Sequence, residues 1–324
     1  MLRMFLNLQV GLWTTVWRRL LGRSPRQGWP FVVDAATTYL GRDFNHLASL
    51  PPPLMRREYE KRAQATPATR QVRVMTVDVG GVSCAQVDPP EREGDRTVLY
   101  LHGGAYVFGS TRTHADVLAR VALGARARVL APDYRQAPAH PYPAQLDDAL
   151  AVYQAILAHT PSTRVTVAGE SAGGHLALAL VMACRDRGLP QPAGAMLASA
   201  WLDLTGSRPS VVANDAQDWG DVTHLTAYAH MFAGTIPLED PRISLLNGEL
   251  GRLPPLLVVV GASERLRDEN AELVDKVRVA GGVAELHQVE RCAHSPVFFA
   301  QYSPDAAAAM AHLTTWMRER TPVG

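Results

Sequence analysis

The chain has almost no lysine. Of its 32 basic residues only Lys61 and Lys276 are lysines, and the rest are arginines. Basic and acidic side chains nearly cancel, 32 against 31. That balance excludes the strongly basic surface of a nucleic-acid-binding protein and gives no reason to expect an acidic partner. Cysteine is scarce as well. Cys84, Cys184 and Cys292 form an odd, scattered set. Such a set argues against a disulfide framework, and its spacing is not that of a metal site. Three reduced thiols in a cytoplasmic protein, with no metal, are the expectation. No apolar run approaches the ~20 residues of a transmembrane helix. The polar interruptions near the N-terminus, and the lack of a small-residue cleavage site, also argue against a signal peptide.

What is present is a folding, globular composition. The 324 residues are 47% apolar and 19% charged, enough for one large α/β domain with a lid or for two ordinary domains. Near the start, Leu2, Phe5, Leu6, Leu12, Trp13, Val16, Trp17 and Leu20 fall on one face of a helix. Arg3, Asn7, Thr14, Arg18 and Arg19 fall on the other. A lid helix packed on the main domain is the simpler expectation for this pattern. Peripheral contact with a membrane surface is the alternative.

Residues 1–68 read as helices and loops with a break at Pro51-Pro52-Pro53. From about residue 71 the pattern changes. Gln71–Val79 and Val82–Val87 flank Gly80-Gly81 and predict a hairpin. Strands and helices then alternate. Strands are expected over Thr97–Leu101, Ala127–Ala131, Arg164–Ala168, Ala193–Ala200, Pro255–Val260 and Val283–Val289. Helices are expected near 113–124, 143–158, 172–187, 267–280 and 304–319. This alternation implies a mostly parallel sheet covered on both faces. Residues 204–238 interrupt it and read as an insertion. The expected organisation is therefore two segments outside the core, 1–68 and 204–238, around core segments 69–203 and 239–324.

The most informative stretch is Gly169-Glu170-Ser171-Ala172-Gly173-Gly174, between a β-branched run and a helix-like run. A strand-to-helix turn this tight needs glycines beside the serine. It holds Ser171 in a strained conformation with its hydroxyl exposed, and the helix N-terminus behind it favours developing negative charge. Upstream, His102-Gly103-Gly104-Ala105-Tyr106 follows another buried strand. Glycines there let backbone amides approach a substrate carbonyl. With the amide of Ala172, those of Gly103 and Gly104 would hold the oxyanion of an acyl transfer, each donor worth roughly 3–4 kcal/mol. His102 could be taken for a metal ligand, but its place beside this loop favours the acyl-transfer reading.

In these motifs the chain resembles the bacterial hormone-sensitive-lipase family of α/β-hydrolase esterases, over most of residues 70–320. Further markers are Asp133-Tyr134-Arg135, His140-Pro141-Tyr142-Pro143 with Asp147-Asp148, Trp201-Leu202-Asp203-Leu204, Asp240-Pro241 and Leu253–Gly261. Ala105 stands where the family usually has a third glycine, and Glu170 where one subgroup has aspartate. The resemblance implies an α/β-hydrolase fold with an eight-stranded sheet and a helical cap built from 1–68 and 204–238. It also implies hydrolysis of short-to-medium acyl esters without a cofactor, and a possible homodimer through the last strand.

Ser171 needs a general base. In this fold the histidine comes last, which selects His294 in His294-Ser295-Pro296-Val297-Phe298. His287 falls in a predicted strand and His312 on the last helix. His114, His140, His224 and His230 precede the acid, with surface or packing roles as the default. The family's catalytic aspartate maps onto Glu264 in Glu264-Arg265-Leu266-Arg267-Asp268-Glu269, with Asp268 one turn later as the rival. Tyr106, beside the oxyanion loop, is the expected substrate contact. Trp13, Trp17, Trp29, Phe31, Trp219 and Phe232 could line a pocket or fill a lid core. An amidase or acyltransferase with the same triad, or a non-catalytic small-molecule receptor on the same fold, would share these motifs.

Overall fold

The computed structural model describes residues 2–220 and 222–322. Eight strands form one sheet: β1 (Arg73–Val79), β2 (Val82–Asp88), β3 (Thr97–Leu101), β4 (Arg128–Pro132), β5 (Val165–Glu170), β6 (Gly194–Ala198), β7 (Leu256–Gly261) and β8 (Ala284–Val289). Their order across the sheet is β1-β2-β4-β3-β5-β6-β7-β8. β1 pairs antiparallel with β2, and β2 with β4. All other pairs are parallel. The expected hairpin and the six later strands are all present, with ends shifted by up to two residues.

The central strands are buried throughout and mostly apolar because both faces of the sheet are covered. Alternate residues serve two different layers. Leu99, Leu101, Val165, Val167, Leu197, Leu256 and Val258 point into one core. It is closed by α5 (Ala144–Leu157), α6 (Ala172–Asp186) and α9 (Arg267–Val279). Val98, Tyr100, Met196, Ala198, Leu257 and Val259 point into the other. That side is closed by α4 (Ala115–Ala125) and α10 (Pro304–Arg320). The parallel strands bring their C-terminal ends to one edge, where this class of sheet gathers its functional loops.

Three helices precede the sheet: α1 (Leu2–Leu20), α2 (Phe31–Ala48) and α3 (Pro52–Glu60). The three-proline break lies between α2 and α3, with prolines in the first turn of α3, where a missing N–H costs nothing. Two more helices, α7 (Pro209–Ala213) and α8 (Val222–Ala233), lie between β6 and β7. Phe44 of α2, Met55 of α3 and Tyr228 and Phe232 of α8 join the first core.

One expectation fails here. Over its described side chains the apolar face of α1 does not pack on the main domain; Leu2 and Phe5 of the expected face lie outside the described side chains. Among the described side chains of α1, Gly11 and Thr15 are the buried positions, and Gly11 is tight against the backbone of Tyr39. Asn7 donates to Asp43 at 3.3 Å and Arg19 to Asp34 at 2.8 Å. Specific polar bonds and the close approach that a glycine allows thus decide which side of α1 faces inward. The side carrying Trp13 and Trp17 faces out.

Candidate active site

Ser171 lies at the junction of β5 and α6, with φ 55° and ψ −121°. Non-glycine residues rarely adopt that conformation, and here the surrounding backbone enforces it. The Ser171 amide donates to Ala198 O at 2.9 Å, and its carbonyl accepts from His175 at 3.0 Å and Trp201 at 3.1 Å. The flanking glycines are a matter of space. A Cβ on Gly169 would overlap the backbone of Gly173, and one on Gly173 would overlap the carbonyls of Leu101 and His102. The serine turn and the loop after β3 are therefore packed backbone against backbone.

That loop, from His102 to Phe108, is held from several sides. The Tyr134 hydroxyl donates to His102 O at 2.7 Å, and the Tyr134 ring stacks on His102 at 4.3 Å. Arg56 of α3 donates to the carbonyls of Val107 and Ala137 at 2.7 and 2.5 Å. His102 is fully buried, with Nδ1 2.8 Å from Gly103 O. Burial pulls its pKa down to about 4, so the ring is a neutral support at pH 7. Among the described residues, no group of three or more His, Cys, Asp or Glu side chains could hold a metal ion. The amides of Gly103, Gly104 and Ala172 donate to no acceptor in the described residues, which leaves them free for a ligand oxygen.

The chain brings His294 to this point from 123 positions away, with Nε2 3.0 Å from Ser171 Oγ. Its pKa lies below the ordinary value because burial disfavours the imidazolium, against the opposing charges of Asp218 and Glu170. Nδ1 has no hydrogen-bond partner. Glu264 Oε2 lies 3.9 Å from it, and Oε1 of the same carboxylate also lacks a partner. Oε2 accepts from Ser199 Oγ at 2.7 Å and from the Gly261 amide at 3.1 Å. Burial, and then the charge of Asp218, push the Glu264 carboxyl well above the ordinary range. Asp268 points elsewhere. It accepts from the Ser210 amide at 2.9 Å and pairs with Arg267 at 2.8 Å, which ties α9 to α7. Next to it, Glu269 accepts from the Leu202 amide at 2.6 Å, and Asn270 brackets Ala200.

Several residues that sequence reasoning missed hold this assembly. Asp218 is buried and takes three amides: His294 at 2.9 Å, Trp219 at 2.8 Å and Arg265 at 2.8 Å. It thereby joins the loop bearing His294 to the loop bearing Glu264. Ser199 accepts from the Ser295 amide at 3.1 Å while donating to Glu264, a second link between those loops. Glu170 lies beneath the serine. Burial alone would raise its carboxyl, but the bond from His114, the charges of His114 and His294, and the bond from Ser295 bring it below the ordinary value. The distances are 3.0 Å to His114 Nε2 and 2.8 Å to Ser295 Oγ. His114 is thus neither a surface residue nor simple packing. Asp218 and Ser199 carry no local sequence signature, since they act largely through backbone amides. Glu170 was visible as a departure from the family pattern.

The cleft above Ser171 encloses about 60 Å³. Its apolar walls are Phe44, Tyr59, Phe108, Trp201, Trp219, Leu225 and Phe298. Of the six aromatics proposed from sequence, only Trp219 lines it, and its Nε1 donates to His294 O at 3.0 Å. Tyr106 does not. It is fully buried, stacked on Phe232 at 3.9 Å, with its hydroxyl 2.5 Å from His175 Nδ1. The turn that presents Gly103 and Gly104 sends the next side chain down into the core.

Comparison with known proteins agrees with this geometry. Residues 98–298 match a family model described as the alpha/beta hydrolase fold. An acetyl-hydrolase of Streptomyces hygroscopicus is 36% identical over 251 residues, 76% of this chain and 83% of that one. Esterase LipI of Mycobacterium tuberculosis is 33% identical over 231 residues, 68% of this chain and 71% of that one. Among solved structures, an esterase from the bacterial hormone-sensitive lipase family superposes with a TM-score of 0.82 at 32% identity, covering 87% of this chain and 97% of that one.

Proposed function

The chain belongs to the bacterial hormone-sensitive-lipase family of α/β-hydrolases and is a carboxylic ester hydrolase, and we propose that Ser171, His294 and Glu264 do its chemistry on esters of short acyl chains. The observation that carries the assignment is the 3.0 Å contact between His294 Nε2 and Ser171 Oγ, at the base of a cleft edged by unused amides.

The reaction runs in two acyl transfers. His294 takes the Ser171 proton as Oγ attacks the ester carbonyl, forming the C–O bond of a tetrahedral intermediate. The Gly103, Gly104 and Ala172 amides receive the oxyanion. His294 then protonates the leaving alcohol as the old ester bond breaks. Water, deprotonated by His294, attacks the acyl-enzyme; the acyl–Oγ bond then breaks, His294 returns the proton to Ser171 Oγ, and the acid leaves. Glu264 fixes the tautomer of His294 and stabilises the imidazolium without taking the proton. A small turn of the ring or carboxylate would close the 3.9 Å gap between Nδ1 and Oε2. No step in this cycle calls on a cofactor.

The cleft volume supports the acyl-length reading. At about 60 Å³, it has room for roughly four to six waters, which suits an acyl chain of a few carbons. The walls from α2, α3 and residues 204–238 support the reading of those segments as a two-part cap. The free edge at β8 is where the proposed homodimer would pair.

The decisive test is Ser171→Ala. Hydrolysis of p-nitrophenyl acetate should fall at least about ten-thousandfold, with circular dichroism and thermal unfolding unchanged. A folded variant with near-normal turnover would overturn the assignment. In wild type, kcat/KM should decline as the acyl chain lengthens from acetyl to octanoyl. The same triad on an amide would make the protein an amidase, and turnover of matched esters and anilides separates the two.

A further inference from the structure

The outward face of α1 has no function in the hydrolytic cycle. Leu6, Val10, Trp13, Trp17 and Leu20 succeed one another at intervals of four, three, four and three residues, which places them in one stripe along the helix. At 1.5 Å per residue the stripe is about 21 Å long. It is opposite Gly11 and Thr15, the residues packed on α2. Trp13 and Trp17 are each 60% exposed and Leu20 is 73% exposed. Phe31 and Val32, at the start of α2, extend the exposed surface. The Arg19 guanidinium lies 5.5 Å from the Phe31 ring, which places the end of α1 beside that extension.

The charge around the stripe is of one sign. Residues 1–33 contain five arginines and no carboxylate side chain, whereas the whole chain is only +1. Arg19 and Arg26 are committed to Asp34. Arg18 and Arg23 are exposed, and neither forms an ion pair among the described residues. The first carboxylates α1 meets, Asp34 and Asp43, lie on its packed side and are already bonded. A stripe of this spacing could seat a second copy of itself. Such a seam, however, needs flanking charges of opposite sign to set its pairing, and here two copies would oppose arginine to arginine. An apolar stripe that includes exposed tryptophans, together with unpaired arginines, suits a surface with an apolar interior, a polar boundary and negative headgroups.

We propose that α1 is a membrane-surface helix that docks the enzyme on anionic phospholipid. It lies along the bilayer and does not cross it; among the described residues no helix is long and apolar enough to cross. The stripe enters the boundary between headgroups and acyl chains, while Arg18 and Arg23 meet lipid phosphates. The side of α1 that carries Gly11 and Thr15 stays on α2, whose Phe44 walls the cleft.

The test is co-sedimentation of the full chain with vesicles of phosphatidylglycerol and phosphatidylcholine in equal parts, and with phosphatidylcholine alone. Binding to the mixed vesicles, with a blue shift of tryptophan fluorescence, is expected. Binding to phosphatidylcholine alone should be at least about tenfold weaker. Trp13→Ser with Trp17→Ser should cost at least about tenfold in partitioning. Arg18→Gln with Arg23→Gln should cost about 25-fold. Hydrolysis of p-nitrophenyl acetate should be unchanged in both double variants, which shows that they fold. A wild-type chain that stays in the supernatant overturns the proposal, as does binding that survives the tryptophan changes. So does a lipid-free dimer in the ultracentrifuge that those changes convert to monomer.

Discussion

Ser171 and His294 meet at 3.0 Å, yet the chain brings them there by different means. Ser171 is placed by its immediate neighbours: a strand, two glycines and the start of a helix. The constraints on it are backbone ones, from β3, β5, α6 and the end of β6 with the loop after it. His294 is placed by side chains far away in sequence. Asp218 holds its amide, Trp219 holds its carbonyl, and Ser199 links the adjacent Ser295 to Glu264. One half of the site is made of backbone geometry and the other of hydrogen bonds spanning 65 to 96 positions. The nucleophile half should therefore be rigid, and the base half adjustable by single side chains.

The strongest test of this contrast is the acid. Glu264→Gln leaves the hydrogen bonds to Ser199 and Gly261 largely in place but removes the charge that stabilises the imidazolium. A fall of about a thousandfold in kcat is expected, with KM little changed. Asp268→Asn should stay within about threefold in kcat and cost about 1 kcal/mol of stability, because its carboxylate accepts from Ser210. Steady-state kinetics on p-nitrophenyl acetate distinguishes the two, and the reverse ranking would transfer the acid to Asp268.

Much of this was legible in the sequence, and the pattern of success follows the same contrast. The central strands were readable because continuous burial in a doubly covered sheet forces mostly apolar runs of five or six residues. The serine turn was readable because only glycine fits beside it. The mapping of Glu264 came from the resemblance to the family's motif after the seventh strand. Asp218 was not readable. An aspartate that binds three amides resembles any other loop aspartate until those amides converge. Tyr106 was misplaced because position next to a loop does not reveal which way the chain turns. The apolar face of α1 was visible, but its direction was not. That was decided by Tyr39, Asp34 and Asp43, on a different helix.

A smaller effect is expected at Asp218, and it sharpens the comparison through pH. The Asp218 charge favours the imidazolium form of His294, against burial, which disfavours it. In the proposed cycle His294 must be neutral to accept the Ser171 proton, so kcat/KM should rise as pH passes upward through the His294 pKa. That acid limb should lie below the ordinary histidine value of 6.5. Asp218→Asn removes an attraction for the proton, so the limb should move to still lower pH. The amide also presents N–H groups where Arg265 N–H now donates, which loosens the base loop. A fall of about tenfold in plateau kcat is expected. A limb that stays in place or moves upward would show that Asp218 acts on the loop alone and not through its charge.

The smallest expected effect belongs to Tyr106. Its ring stacks on Phe232 and its hydroxyl bonds His175, which is itself bonded to Ile243 O at 2.7 Å. Tyr106→Phe keeps the stack and removes one buried hydrogen bond. It leaves His175 Nδ1 without a partner, at a cost of about 1–2 kcal/mol. A Tm lower by about 2–4 °C is therefore expected. The acyl-chain profile should not change, because no atom of Tyr106 reaches the cleft. Were Tyr106 a substrate contact, the relative rates on acetyl, butyryl and hexanoyl esters would shift while stability held. Measuring both on one variant separates a residue that supports the oxyanion loop from below from one that touches the acyl group, and it tests whether the nucleophile half tolerates a lost side-chain bond that the base half would not.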